Sequence, residues 1–303
     1  MILPESQLIE RFDRIRVWQQ GDHRAVHKPL LVLLMLGKLV RGEVGARFED
    51  IEDEFRKLLE QFGPMSAAAS RQYPFWHLRT DGLWVLEGPL GIVDRPPGAS
   101  PTLTEARTLS GSFAPEVLAT LRDKPALIAQ IAQRIVAGHF PESLQQDVLA
   151  AVGLEGGDAG ADAAPDRARR DPSFRPRVLL AYEYRCCVCR HDLRLGGQVV
   201  GLEAAHIRWV QAHGPDIEPN GLALCSLHHK LFDLGVFTVL PGQFMLVVSQ
   251  HVTGSDEVRA RLMGYHGAGI VLPQSRTSYP AAEFLAWHQG EVFKKPQREL
   301  MLR

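Results

Sequence analysis

The chain has 303 residues, 45% of them hydrophobic and 23% charged, the proportions of an ordinary globular protein with room for two domains and a core in each. A net charge of −1 excludes a globally basic nucleic-acid binder, and the longest strongly apolar run, Pro29–Leu36, is too short to span a bilayer. No basic stretch leads into an apolar one at the start, so no signal peptide is expected and a cytoplasmic setting follows; there, four cysteines, three of them within Cys186–Cys189, do not make a disulfide framework. Taking the chain in order, Leu8, Phe12, Ile15 and Trp18 fall on one helical stripe, and His27-Lys28-Pro29 opens a strongly apolar helix with proline in its first turn. Phe48, Ile51, Phe55, Leu58, Leu59 and Phe62 form a second stripe, closed by Gly63-Pro64. From Tyr73 to Leu86, short aromatic-rich segments around Thr80-Asp81-Gly82 predict a β-hairpin. Helices are predicted at Pro115–Ala137, interrupted near Pro125, and at Pro141–Val152.

Glu155–Pro165 has no large apolar residue and can bury nothing, which marks an interdomain linker. Beyond it a helix is predicted around Pro172–Tyr184, a strand at Val199–Ala205, two β-like stretches at Val236–Leu240 and Phe244–Val248, and a helix at Ala281–Gln289. Between Arg167 and Arg194 eight arginines face three acids, Asp171, Glu183 and Asp192, a local balance of +5. Such a run alone is a solvated face; beside a hydrolytic site it attracts phosphate.

Cys186 and Cys189 form a C-x-x-C pair, and Cys225 and His228 a C-x-x-H pair whose first member lies 36 residues after Cys189. Each pair fits one tight turn, and two such turns close a tetrahedral zinc site with all four positions taken by protein, hence a structural one. Cys187 then packs in the core, unless it replaces Cys186 as a ligand.

A second set overlaps the first. His206 follows the predicted strand, Asn220 lies 14 residues later beyond a Gly214-Pro215 loop, and His229 directly follows His228. Adjacent helical residues point about 100° apart, so His228 can face zinc while His229 faces a cleft. Phosphodiester hydrolysis needs an activated water, a Lewis acid and a group that holds geometry. His206 suits the base, His229 a metal ligand, and Asn220 either a ligand or an orienting amide. Glu203 is a further candidate ligand for the divalent ion, or else a supporting or surface carboxylate.

These residues resemble the HNH, or ββα-metal, nucleases. His206, Asn220 and His229 fall on the family's first His, Asn and last His; Cys186, Cys189, Cys225 and His228 match its zinc-knuckle variant. Many members carry an acid immediately before the first His, where this chain has Ala205, which raises interest in Glu203. The N-terminal half, with His27-Lys28-Pro29-Leu30-Leu31, Tyr73-Pro74-Phe75-Trp76-His77-Leu78 and Asp81-Gly82-Leu83-Trp84, is similar to the sulfur-binding domain of phosphorothioate-dependent type IV restriction endonucleases. Tyr265-His266-Gly267 and Ala286-Trp287-His288 look like the same group.

The resemblance implies an α+β protein with a mainly helical modified-DNA recognition domain and small hairpin at 1–153, a linker at 154–170, and a zinc-stabilised HNH endonuclease domain at 171–303. It implies Tyr73, Pro74 and His77 around the sulfur, with Arg24, His27, Lys28 and Arg71 as candidate phosphate contacts. It further implies double-stranded DNA carrying a phosphorothioate as partner, Mg²⁺ or Mn²⁺ beside structural Zn²⁺, no membrane, and a homodimer to cut two strands. Two rival readings stand beside it: an HNH nuclease that reads another mark such as methylcytosine, and a zinc-containing DNA-binding regulator that does not cut.

Overall fold

The computed structural model describes residues 2–17, 19–20, 23–24, 26–64, 67–155 and 171–300. Trp18 and nearly all of the expected linker lie outside them. The chain is a mixed α/β protein and divides into two compact units, Met1–Pro165 and Asp166–Arg303.

In the first unit the helix His27–Val40 is apolar on every side, so it belongs at the centre, and Leu30 to Leu36 are all at most 1% exposed. Around it pack the one-sided helix Phe48–Phe62 and the helices Gln72–His77 and Ala126–His139. A three-stranded antiparallel sheet, ordered Gly45–Arg47, Ser110–Phe113, Trp84–Glu87, completes the unit. Phe48, Phe75, Trp84 and Phe113 join sheet and helices through edge-to-face contacts of 5.2–5.7 Å.

The expected hairpin at 73–86 is not there. Gln72–His77 is a helix followed by a 3₁₀ turn, Leu78–Asp81, and Trp84–Glu87 pairs with Ser110–Phe113 instead. Pro74 sits in the first helical turn, where its missing N–H costs nothing, and Phe75, Trp76 and Leu78 are fully buried along one side. Gly82, at φ +69°, ends the turn in a conformation few other residues adopt.

In the second unit the helix Phe174–Ala181 leads into the cysteine turn, then a short hairpin of Arg194–Leu195 against Gln198–Val199. Leu202–His206 pairs antiparallel with Gly221–Cys225, with Glu203 opposite Leu224 and His206 opposite Gly221, and the helix Ser226–Asp233 follows at once. The strand expected from Val199 is broken at Gly201, whose φ is +67°. Phe237–Val239 pairs with Leu246–Val248, and the helices Asp256–Met263, not foreseen, and Ala282–Glu291 close the unit. Among the described residues no helix is long and apolar enough to cross a membrane.

Candidate metal centre and hydrolytic site

Cys186 and Cys189 lie on the turn after the first helix, and Cys225 and His228 at the junction of strand and helix. Their ligand atoms all lie within 4.8 Å of one another: Cys189 Sγ to Cys225 Sγ is 3.8 Å, and His228 Nδ1 is 3.1 Å from Cys225 Sγ and 3.7 Å from Cys186 Sγ. Sulfurs bound tetrahedrally at about 2.3 Å stand about 3.8 Å apart, so the four side chains fit a closed metal site. The hydrogen bond from Cys225, with one from His228, draws the Cys186 thiol well below the usual thiol range. Cys187 is buried in the core, and burial pushes its thiol far up, which suits packing and not ligation.

His229, one position on, points elsewhere. Its Nδ1 meets Glu203 Oε2 at 2.5 Å, and its Nε2 meets Asp233 Oδ2 at 3.1 Å. Burial alone would lower the imidazole, but the charge and hydrogen bond of Asp233, with those of Glu203, raise it to about 10. Glu203 is held at about 2 by His229, with Ser226 Oγ adding a bond of 2.6 Å. Asp233 is itself fixed by Trp209 Nε1 at 3.2 Å and is 1% exposed. Carboxylates of this kind are the usual outer support of a metal-binding histidine, and here Asp233 takes Nε2 and Glu203 takes Nδ1. Glu203 thus faces His229, away from His206, as strand alternation requires for residues three apart.

His206 ends its strand half-buried, with Nε2 2.7 Å from Asp216 Oδ1 and its ring stacked on Phe174, centroids 4.0 Å apart and planes 13° from parallel. The carboxylate on Nε2 and the stacked ring fix the orientation of the imidazole. Asn220 is fully buried and its amide is spent on backbone: Oδ1 accepts from Arg208 N at 2.8 Å, and Nδ2 donates to the carbonyls of Arg208 and Pro215 at 3.0 and 2.9 Å. Of its two expected roles this geometry serves orientation, not metal ligation. The loop it closes is tight at Gly214, where a Cβ would stand 1.8 Å from the Arg208 carbonyl oxygen and 2.9 Å from Asn220 Nδ2.

Asp216, Asp233 and Trp209 were not picked out from sequence. Asp233 had a signal, since it lies four residues after His229 on one helix and so shares its face. Asp216 had none beyond its place in the loop.

In the first unit Tyr73 is 45% exposed, Pro74 lies buried, and the rings of Tyr73 and His77 stand 6.4 Å apart one helical turn on. His77 Nε2 is 3.1 Å from Ser100 Oγ. Burial, then the charges of Lys28 and Arg79, lowers its pKa, which places Lys28 close by. The expected phosphate contacts are not open cations. Lys28 pairs with the buried Asp81 at 2.5 Å, and Arg71 shares the carboxylate of Glu52 with Arg107. Burial lowers the pKa of His27, whose Nε2 meets the Ala67 carbonyl at 3.1 Å. Of Arg24 only the backbone is described, paired with Gln19.

Residues 5–157, 153 of the 303, match the family model of the ScoMcrA-like DNA sulfur-binding domain. The chain belongs to this family. Residues 186–240, which hold both the metal cluster and the hydrolytic set, match the HNH endonuclease model, so this sulfur-binding-domain protein carries a metal-dependent nuclease of the HNH type. Solved structures similar to it include the sulfur binding domain of ScoMcrA complexed with phosphorothioated DNA, 25% identical over 48% of this chain and 94% of that one, TM-score 0.42. The corresponding domain of SprMcrA, also complexed with phosphorothioated DNA, is 19% identical over 50% of this chain and 95% of that one, TM-score 0.44. The type IV phosphorothioation-dependent restriction endonuclease ScoMcrA is 26% identical over 52% of this chain but only 35% of its own length, TM-score 0.43. No curated protein matches the chain.

Proposed function

We propose that the protein is a modification-dependent restriction endonuclease, which binds DNA through a backbone phosphorothioate and hydrolyses phosphodiester bonds near that mark. The observation that carries this reading is the joining, in one chain, of a sulfur-binding-domain sequence to a unit where His206–Asp216 and Glu203–His229–Asp233 flank a Cys₃His cluster.

In a phosphorothioate, sulfur replaces one non-bridging oxygen and is larger, softer and more weakly hydrated. A partly apolar surface accepts it with little loss of hydration, whereas an oxyanion there would lose more than it gains. The exposed ring of Tyr73, next to Pro74 in the helix and one turn before His77, would supply such a surface, with His77 as its polar wall. Lys28 and Arg71 would reach phosphate only by exchanging their present carboxylate partners, and Arg24 completes the basic set.

In the second unit, the reading takes the two strands and following helix as a ββα-metal motif and the Cys₃His cluster as a structural zinc site. Glu203 and His229 would hold Mg²⁺ or Mn²⁺, which when bound supplies a Lewis acid to the phosphate oxygens. His206 Nδ1 accepts a proton from water as its oxygen bonds to phosphorus; the P–O bond to the leaving sugar oxygen breaks, and that oxygen takes a proton from solvent. Asp216 steadies the imidazolium so formed, and Asn220 holds the loop that carries Asp216. Cutting both strands calls for a homodimer, and the reaction belongs in the cytoplasm, where incoming DNA is met.

The test is a gel shift of the full-length protein on two duplexes of one sequence, with and without a phosphorothioate, at physiological salt. The reading expects tighter binding of the modified duplex; equal binding removes the sulfur recognition and leaves a general nuclease.

A further inference from the structure

The helix Phe174–Ala181 packs by its first two residues against the strand that carries Glu203 and His206. Phe174 stacks on His206, while Arg175 Nη2 donates at 3.0 Å to the carbonyl of Leu202, the residue before Glu203. The charge of Arg175 reaches the Glu203 carboxylate, one of the influences that keep it ionised.

Arg175 stands apart from its neighbours in how little it is engaged. Arg177 grips Asp171 and Glu218, and Arg185 pairs with Asp192. Among the described residues Arg175 has no carboxylate partner, and the Leu202 carbonyl takes one of its five N–H donors. Glu203 feels the charge of Arg175 but is hydrogen-bonded to Ser226 and His229. Meanwhile two carboxylates, Glu203 and Asp233, already hold His229 on the Glu203 side of the strand. Phosphate brings a further negative charge there, and more accumulates on its non-bridging oxygens as phosphorus becomes five-coordinate. A fixed cation beside Glu203 answers both needs, and the planar fork of a guanidinium matches two phosphate oxygens at once.

We propose that Arg175 is a catalytic residue that clamps the non-bridging oxygens of the scissile phosphate, a role that rests on the nuclease reading above. The backbone bond to Leu202 pre-sets its direction, so the clamp is in place before DNA arrives.

The test uses the full-length protein and its Arg175→Ala and Arg175→Lys variants. Single-turnover cleavage of a modified duplex is measured with saturating Mn²⁺, and the dissociation constant for the same duplex in Ca²⁺. Loss of one charged donor at a developing oxyanion is expected to slow cleavage by Arg175→Ala about 10²–10³-fold, with binding changed only about twofold. Arg175→Lys restores the charge but not the fork, so its rate falls between the two. Millimolar guanidinium chloride should raise the rate of Arg175→Ala and not that of the parent, a rescue that loss of the Leu202 contact alone would not give. Arg175→Ala cutting as fast as the parent, a slow variant without guanidinium rescue, or Arg175→Lys equal to the parent would each overturn the clamp. A parent that cuts neither modified nor plain DNA would instead overturn the nuclease reading.

Discussion

Asp216 Oδ1 lies 2.7 Å from His206 Nε2, joining a loop carboxylate to the residue that ends the strand Leu202–His206. The same loop is pinned to the helix Phe174–Ala181, because Arg177 Nη2 donates to the Asp216 carbonyl at 2.7 Å and Asp216 Oδ2 accepts from Asp171 N at 2.8 Å. Two tertiary contacts thus place the carboxylate and a third holds its backbone. Asp216→Asn keeps the shape but not the charge that stabilises the protonated base. Cleavage should fall about 10²-fold, with DNA binding and thermal stability close to the parent's. Full activity in a single-turnover assay would remove Asp216 from the mechanism. His206→Ala should lose cleavage altogether and still bind DNA.

Asp233→Asn probes the other histidine. Losing the charge that orients His229 should weaken Mn²⁺ binding about 10- to 100-fold, the usual effect of removing an outer-shell partner. Titration calorimetry on the folded variant reads this directly, and unchanged Mn²⁺ affinity would show that the ion is held elsewhere. His229→Ala should bind no catalytic ion.

Cys189→Ser and Cys225→Ser test the Cys₃His cluster. A closed metal site contributes folding free energy, so each variant should lose its ion and unfold its C-terminal unit at a lower temperature. Elemental analysis of the parent should give about one zinc per chain. A pure, folded parent without zinc would contradict the assignment.

The metal ligands could be read from sequence because each pair reduces to one local turn, and C-x-x-C with C-x-x-H states that geometry outright. The central helix was equally plain, since an apolar run such as Leu30–Leu36 has no surface face to offer. Tyr73–Leu86 was misread because its aromatic residues suit a strand as well as a buried helical turn. The true partner of Trp84–Glu87 lies 26 residues on, in the small and polar Ser110-Gly111-Ser112-Phe113. Gly111 sits there because a Cβ would meet the rings of Trp84 and Phe75 at 2.5–2.7 Å, a constraint set by packing and not by any local pattern. For Asn220 the spacing leaves ligand and brace both open, and the choice depends on the backbone that surrounds its amide.

His288 gives a pH dependence that begins behind the helix Ser226–Asp233, where the Asp233 charge partly offsets its burial. It is fully buried, with its ring stacked on Phe232 at 3.6 Å, Nδ1 2.9 Å from Thr238 Oγ1 and Nε2 3.0 Å from the Phe232 carbonyl. Burial lowers its pKa from 6.5 to about 4. The unfolded chain therefore takes up a proton below 6.5 that the native state refuses until about 4, so stability falls as pH drops through this window and levels off beneath it. The linkage amounts to about 3 kcal/mol at most. Urea unfolding followed at pH 7, 5.5 and 4 should show the decline in the parent and a flatter profile in His288→Gln. Parallel profiles would assign the acid sensitivity to other groups.

Tyr73→Ala addresses recognition. One well-buried apolar contact is worth about 1.5–3 kcal/mol, so the preference for modified over plain DNA should be roughly ten- to a hundredfold in the parent and near one in the variant. Plain-DNA affinity, which is set by phosphate contacts, should stay the same. Pro74 is buried, so Pro74→Gly should also cost stability and is the less clean probe.

The most direct measurement is cleavage by the full-length protein, with Mn²⁺, of two plasmids that differ only in carrying backbone phosphorothioates. The modified plasmid should be cut near its marks while the unmodified one stays intact under the same conditions. Equal cutting of both, or cutting of neither, would contradict the account.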